Sequence, residues 1–114
     1  MEHAMKLYEN PFRLIKEGRK HVEVRLNDEK RRKVKIGDVI EFRNLSEVSK
    51  TVIVEVINLQ SYSTFQEMYE HIPREDFGLE VLSLNEMVNS TYKIYTPEQE
   101  KQWGALAISI QLLR

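Results

Sequence analysis

The residues best suited to chemistry are concentrated in one stretch, Gly18-Arg19-Lys20-His21-Val22-Glu23-Val24-Arg25. In an extended chain side chains alternate between faces. That puts His21, Glu23 and Arg25 on one side and Val22, Val24 and Leu26 on the other. Neighbours on one face stand roughly 7 Å apart, so an acid is held close to potential cations on a strand whose valine face has a core to rest on. Arg25 offers a planar fork for a phosphate or a base edge, and Lys20 a compact charge. Glu23 is suited to accept from an exocyclic amine or to hold a cation in place. The charged face therefore reads as one wall of a cleft. The competing readings are a surface strand with its charges in water and a Glu23–Arg25 pair that merely pins the strand, since exposed pairs are weak and often structural.

A second cluster follows at Lys30-Arg31-Arg32-Lys33, a basic run that suits phosphate contact or a solvated loop equally well. Tyr95 and Trp103 are aromatics able to stack on a base, at roughly 1–3 kcal/mol per base, although Trp103, just before the last strand, reads more readily as core packing. Other chemistries are excluded. The chain has no cysteine, which removes disulfides, thiol catalysis and cysteine-based zinc sites and fits a reducing cytoplasm. His3, His21 and His71 lie far apart with no HxH or HxxxH pairing, so neither a metal nor a cofactor is expected.

The elements that must position these residues can be read from punctuation and periodicity. Lys6-Leu7-Tyr8 predicts a short first strand. Asn10-Pro11 reads as the cap and first residue of a helix, with Phe12 and Ile15 on its apolar side and Gly18 as its stop. Lys16, Arg19 and Lys20 gather at the helix end, where the dipole favours cations. A strand over 20–26 leads into a polar loop. The turn Gly37-Asp38 then opens a second strand over 39–43, and the hairpin loop 44–49 joins it to a third over 50–59. Ser63-Thr64-Phe65-Gln66 fits a capping box for a helix to about His71, ended by Ile72-Pro73. Arg74 to Gly78 is a polar loop with Phe77 as a plug. Ser83 to Glu86 repeats the capping box for a helix that buries Leu84, Met87 and Val88. Thr96-Pro97-Glu98 starts a short helix, and Ala105 to Leu113 forms the last strand.

A chain of 114 residues with 41% hydrophobic and 31% charged content fits one soluble domain, 1–114, with one core. No apolar run approaches the ~20 residues of a membrane span, and the first residues show no secretory signal. Residues 1–43 carry 12 Lys and Arg against 8 Asp and Glu, and residues 44–114 carry 5 against 10. Such asymmetry marks either a phosphate-facing surface or two halves that attract each other. Strands interrupted by helices, with several short twisted strands on one core, argue for an α+β fold built on a small β-barrel.

Gly18-Arg-Lys20-His-Val-Glu23-Val-Arg25 matches the pattern G-x-K-x-x-E-x-R and resembles the ASCH (activating signal cointegrator homology) domain family. Lys35-Ile-Gly37-Asp38-Val-Ile-Glu-Phe42 is similar to that family's following turn and strand. Ile94-Tyr95-Thr-Pro-Glu98-Gln-Glu100-Lys-Gln-Trp103-Gly104 resembles its closing tyrosine, acidic helix and aromatic-glycine pair. The resemblance, to small single-domain bacterial members, implies a PUA-like β-barrel with peripheral helices and a cleft beside the barrel that takes RNA or a modified nucleoside. Carried over by position, it places Lys20, His21, Glu23, Arg25, Tyr95 and Glu98 at the ligand. It also implies an alternative, a small hydrolase: an amidohydrolase on N4-acylated cytidine, or a ribonuclease. Lys20 and Glu23 would then be catalytic, with Glu75, Asp76 or Glu100 as a second carboxylate. The amidohydrolase branch uses a threonine three residues after the lysine. Here that position is Glu23, so the nucleophile is missing.

Overall fold

The computed structural model describes residues 1–78 and 82–114. Five strands, β1 (Glu2–Leu7), β2 (Val22–Leu26), β3 (Val39–Asn44), β4 (Thr51–Tyr62) and β5 (Ala105–Leu112), form a single sheet in the order β1-β3-β4-β5-β2. β1 runs parallel to β3, and the remaining neighbours are antiparallel. The sheet curls into a half-barrel, which brings its two edge strands, β1 and β2, towards each other. Across that seam the Arg25 Nη2 donates to the Lys6 carbonyl at 2.8 Å. The α+β, barrel-like architecture anticipated from the order of elements is what the chain adopts, with the seam left open.

Residue size along β5 explains how the two faces of the sheet are filled. Leu106, Ile108 and Ile110 point into the half-barrel with Ile40, Phe42, Val52 and Val54, capped by Phe12 and Ile15 of α1 (Glu9–Lys16). The small residues Ala105 and Ala107 face outward. They allow α2 (Phe65–His71) and α3 (Leu84–Thr91) to press Phe65, Met68 and Met87 onto Val22 and Leu26. β2 is consequently covered on both faces, and its Glu23 and Arg25 are buried, not in water.

Several boundaries differ from the sequence reading. β1 starts four residues earlier, because pairing with β3 holds it and its own apolar alternation is confined to Met5 and Leu7. α1 begins at Glu9, with Tyr8 as a cap that lends no side-chain bond. Asn10 is not the cap. Pro11 sits inside the first turn, where its missing N–H is harmless. In α2 the cap is Thr64, not Ser63: its hydroxyl accepts from the Glu67 N–H at 3.0 Å, while the Glu100 carboxylate takes the Phe65 N–H at 2.7 Å. A carboxylate brought in from another helix thus completes a cap that the local sequence assigned one residue too early. The basic run is a 3-10 turn, Arg31–Lys33, anchored by Arg31 to Asp28. Ser83 and Thr96 cap as predicted, each closing a full capping box, and Thr96 opens α4 (Pro97–Trp103). Met87 is buried in α3, with Leu84 and Val88 only half-buried. Phe77 is the plug expected of it, at 1% exposure.

Gly104 joins α4 to β5 at φ 75° and ψ −174°, a region essentially open to glycine alone. An added Cβ would lie 2.7 Å from the Tyr62 carbonyl oxygen. Gly104→Ala is therefore expected to cost about 2–3 kcal/mol, read as a lowered urea midpoint with an unchanged m-value.

Candidate functional site

The end of α1 sets the first charged group. Gly18, at φ 74°, turns the chain so that the N–H groups of Arg19 and Lys20 both donate to the Leu14 carbonyl, at 2.9 and 3.0 Å. Lys20 therefore precedes β2 at a bend. Although its parity differs from that of Glu23, its Nζ reaches Glu23 Oε1 at 3.0 Å. From the other side, Arg25 Nε donates to Glu23 Oε2 at 2.8 Å. One carboxylate is thus gripped by two cations, and the three side chains are only 5–11% exposed.

Burial alone would push the Glu23 carboxyl up. The charge of Lys20 and then that of Arg25, reinforced by hydrogen bonds from both, outweigh it and hold the group below its usual range. Burial likewise pulls the Arg25 guanidinium down, but the Glu23 carboxylate beside it and the Tyr95 phenol raise it above its ordinary value. The triad carries two positive charges and one negative. A pair that served only to pin the strand would need one cation, so a surplus positive charge remains in a poorly hydrated place.

That place is a cavity of roughly 260 Å³ at the seam, between β1 and α1 on one side and α3 with the following Tyr95 on the other. Lys20, Glu23, Arg25 and Tyr95 all border it, whereas most of its wall is apolar, from Leu7 and Leu14 to Met87 and Ile94. The size is close to the ~300 Å³ lower bound of small-ligand pockets, and an apolar hollow with a few convergent polar groups is the usual form of such a site. Four aromatic rings line it, those of Tyr8, Tyr69, Phe77 and Tyr95. Tyr95 lies nearly parallel to Phe65, centroids 5.7 Å apart, and burial raises its phenol's pKa despite the nearby Arg25. Tyr69 meets Phe77 edge-on at 5.0 Å. The Tyr69 hydroxyl pairs with Thr91 Oγ1 at 2.8 Å, and burial pushes it up to about 12.

The remaining sequence candidates lie elsewhere. His21 is exposed: it shares the face of Glu23 but sits two residues nearer the rim, beside Ile57 and Gln111, and only its backbone is engaged, its N–H by the Asp76 carbonyl at 2.7 Å and its carbonyl by the Ile110 N–H at 2.9 Å. Glu98 is exposed in the first turn of α4. Glu75 and Asp76 sit in a 3-10 turn, Arg74–Phe77, and neither borders the cavity. Glu100 is buried as the cap of α2, accepting also from the Tyr92 hydroxyl at 2.6 Å. Trp103 is half-buried under the Arg32 guanidinium, 5.6 Å from the ring centre. Tyr69 and Thr91 were not anticipated as site residues. The available signal was a tyrosine on a buried helix face, whose hydroxyl must find a partner. Among the described residues no group of three or more His, Asp or Glu is placed to hold a metal ion, and no helix is long and apolar enough to cross a membrane.

Removing Glu23 leaves two cations facing each other, and Glu23→Ala is expected to lose about 3–5 kcal/mol in chemical denaturation. Because the folded carboxyl titrates below its ordinary value of 4.5, the stability it lends is fully present above that value and is lost as pH falls through the lowered one. The gap between parent and Glu23→Gln should accordingly be constant near neutrality and shrink only below about pH 4.5, in urea melts from pH 7 to 3.

A family model for the ASCH domain matches residues 5–114. Among solved structures the chain resembles the hypothetical protein PH0355, at TM-score 0.89 and 40% identity over 99% of this chain and 100% of that one. It also resembles protein PF0455 from Pyrococcus furiosus, at 0.80 and 39% over 100% and 99%. An ASCH domain from Lactobacillus crispatus JV V101 aligns at 0.66 and 13% identity over 96% and 79%, a likeness of fold alone. No curated protein matches the chain.

Proposed function

The chain belongs to the ASCH domain family, and from that premise we propose that the seam cavity binds a base of RNA or a modified nucleoside. The observation that carries the reading is the convergence of Lys20, Glu23, Arg25 and Tyr95 on one otherwise apolar hollow. Flat aromatic and aliphatic walls suit a heterocycle. The Lys20 ammonium has N–H groups beyond the one facing Glu23, and the Arg25 guanidinium has N–H groups beyond those that bond Glu23 and Lys6. The surplus positive charge favours an acceptor-rich or anionic guest.

The basic run extends this reading to the sugar-phosphate backbone. The charges of Arg31 and Asp28 act on the Tyr95 phenol, so the turn lies on the Tyr95 side of the cavity. Arg31 bonds Asp28 through Nη1, and its Nε is the one buried side-chain polar atom without a partner among the described residues. Lys30, Arg32 and Lys33 are exposed next to it, a placement suited to phosphates.

Hydrolysis in the same cleft is supported less well. A general base works best with a pKa near the working pH. Glu23 has both oxygens engaged by cations, and its pKa is lowered. The Thr91 hydroxyl donates to the Met87 carbonyl at 2.9 Å and is not free to act as a nucleophile.

Titration of isotope-labelled protein with nucleosides, N4-acetylcytidine and short single-stranded RNAs is expected to shift the resonances of Lys20, Glu23, Arg25 and Tyr95. Arg25→Ala should weaken binding about tenfold or more, as the loss of a charged hydrogen bond does. Flat spectra with every member of the panel would refute the proposal. Turnover of acetylcytidine or RNA that is lost in Lys20→Ala would replace binding with catalysis.

A further inference from the structure

The pairing register of β2 fixes where its backbone points. Val22 lies opposite Ser109 and Glu23 opposite Ile108, so His21 faces Ile110, whose N–H donates to the His21 carbonyl at 2.9 Å. At the other end the Asn27 N–H donates to the Gly104 carbonyl at 3.0 Å. In an antiparallel ladder directly opposed residues alternate between bonded and non-bonded pairs. His21, Glu23, Arg25 and Asn27 therefore bond to β5, while the peptide groups of Val22, Val24 and Leu26 turn the other way, towards the sheet's open edge. Of these three, Val24 is the one that borders the cavity, and it is also the half-buried one between two buried neighbours. No other described residue bonds its N–H or its C=O.

An unpaired donor and acceptor on one residue, partly withdrawn from water, are costly, and native proteins rarely leave such a pair unmet. We infer that Val24 is the specificity-determining residue of the cavity. Its N–H and C=O read a ring N–H flanked by ring carbonyls, the imide edge of a uracil-type base. This rests on the base-binding reading above and names the class of base.

The rest of the cavity supports the same choice. The Val24 carbonyl accepts the ring N–H, and the Val24 N–H donates to one adjacent carbonyl. Lys20 and Arg25 supply further donors for another. Donors outnumber acceptors, because each Glu23 oxygen already holds a cation and Thr91 Oγ1 is paired with Tyr69. A base with a free amino group would bring a second N–H that must compete for the acceptors left at the wall, such as the Ser90 and Tyr95 hydroxyls. A peptide strand added to the same edge is the other occupant such groups accept. A hollow of roughly 260 Å³, walled by α1 and α3, has no room for several residues of chain.

The test titrates uridine, 3-methyluridine and cytidine into the protein, followed by amide shifts and calorimetry. Uridine should bind with shifts centred on Val24 and Arg25. The N3-methylated and amino-bearing nucleosides should bind about tenfold more weakly or not at all, the worth of one or two buried hydrogen bonds. In semisynthetic protein, replacing the Val24 N–H by an ester oxygen should cost uridine about tenfold, whereas the same change at Val22, on the same edge but off the cavity, should leave its affinity unaltered. If the ester protein does not fold, the 3-methyluridine comparison decides. Equal binding of all three nucleosides, or a preference for cytidine, overturns the role of Val24 and leaves base binding standing. Absence of binding by any nucleoside or RNA overturns both.

Discussion

Glu23 holds one carboxylate against two cations from different parts of the chain, and the seam depends on that grip. Lys20 comes from the turn that ends α1, and Arg25 comes from the edge strand itself. Arg25 then crosses to the Lys6 carbonyl and ties β2 to β1, strands that do not pair. Without the carboxylate, two like charges would share a poorly hydrated gap, and Coulomb repulsion there is several-fold stronger than in water. The charged residues of β2 thus replace the missing backbone ladder between the edges.

Leaving the ladder unmade creates the cavity. Had β1 and β2 zipped together, the barrel would have closed and their outward peptide groups would have been consumed. The Arg25 side chain, held by Glu23 and bonded to the Lys6 carbonyl, spans the gap between the edges. α1 and α3 then wall the gap, so it is a half-enclosed hollow and not a surface groove. Residue size enforces the rest: alanines at 105 and 107 let the helices approach β2 and β5 closely enough to place Tyr69, Met87 and Tyr95 at the opening. Packing and electrostatics act together here, since dry aromatic walls strengthen every polar contact made inside them.

Burial of the triad also bears on its chemistry. Both Glu23 oxygens are committed, and the carboxyl is held below its usual range. A group so stabilised as an anion is a good orienting element and a poor proton acceptor. The unspent capacity of the site lies in donors, on Lys20, Arg25 and the β2 edge, and donors recognise carbonyls and phosphates. Such a distribution of charge suits the binding proposed for the cavity.

The sequence by itself determined the elements and the chemical character of β2. Helix ends at Gly18 and Pro73, capping boxes at Ser83 and Thr96, and the alternation of β5 are local signals, set by backbone sterics and side-chain period. The pairing of Glu23 with Arg25 was legible because a strand's period is short and fixed. Only the tertiary structure decided that both faces of β2 are covered, that Lys20 reaches Glu23 despite the wrong parity, and that His21 and Glu98 stay outside while Tyr69 and Thr91 come in. It also decided the cap of α2, where a carboxylate distant in sequence overrode the local pattern. These depend on which elements lie side by side, and side-by-side placement follows from sheet order and helix packing, contacts far apart along the chain that no local spacing encodes.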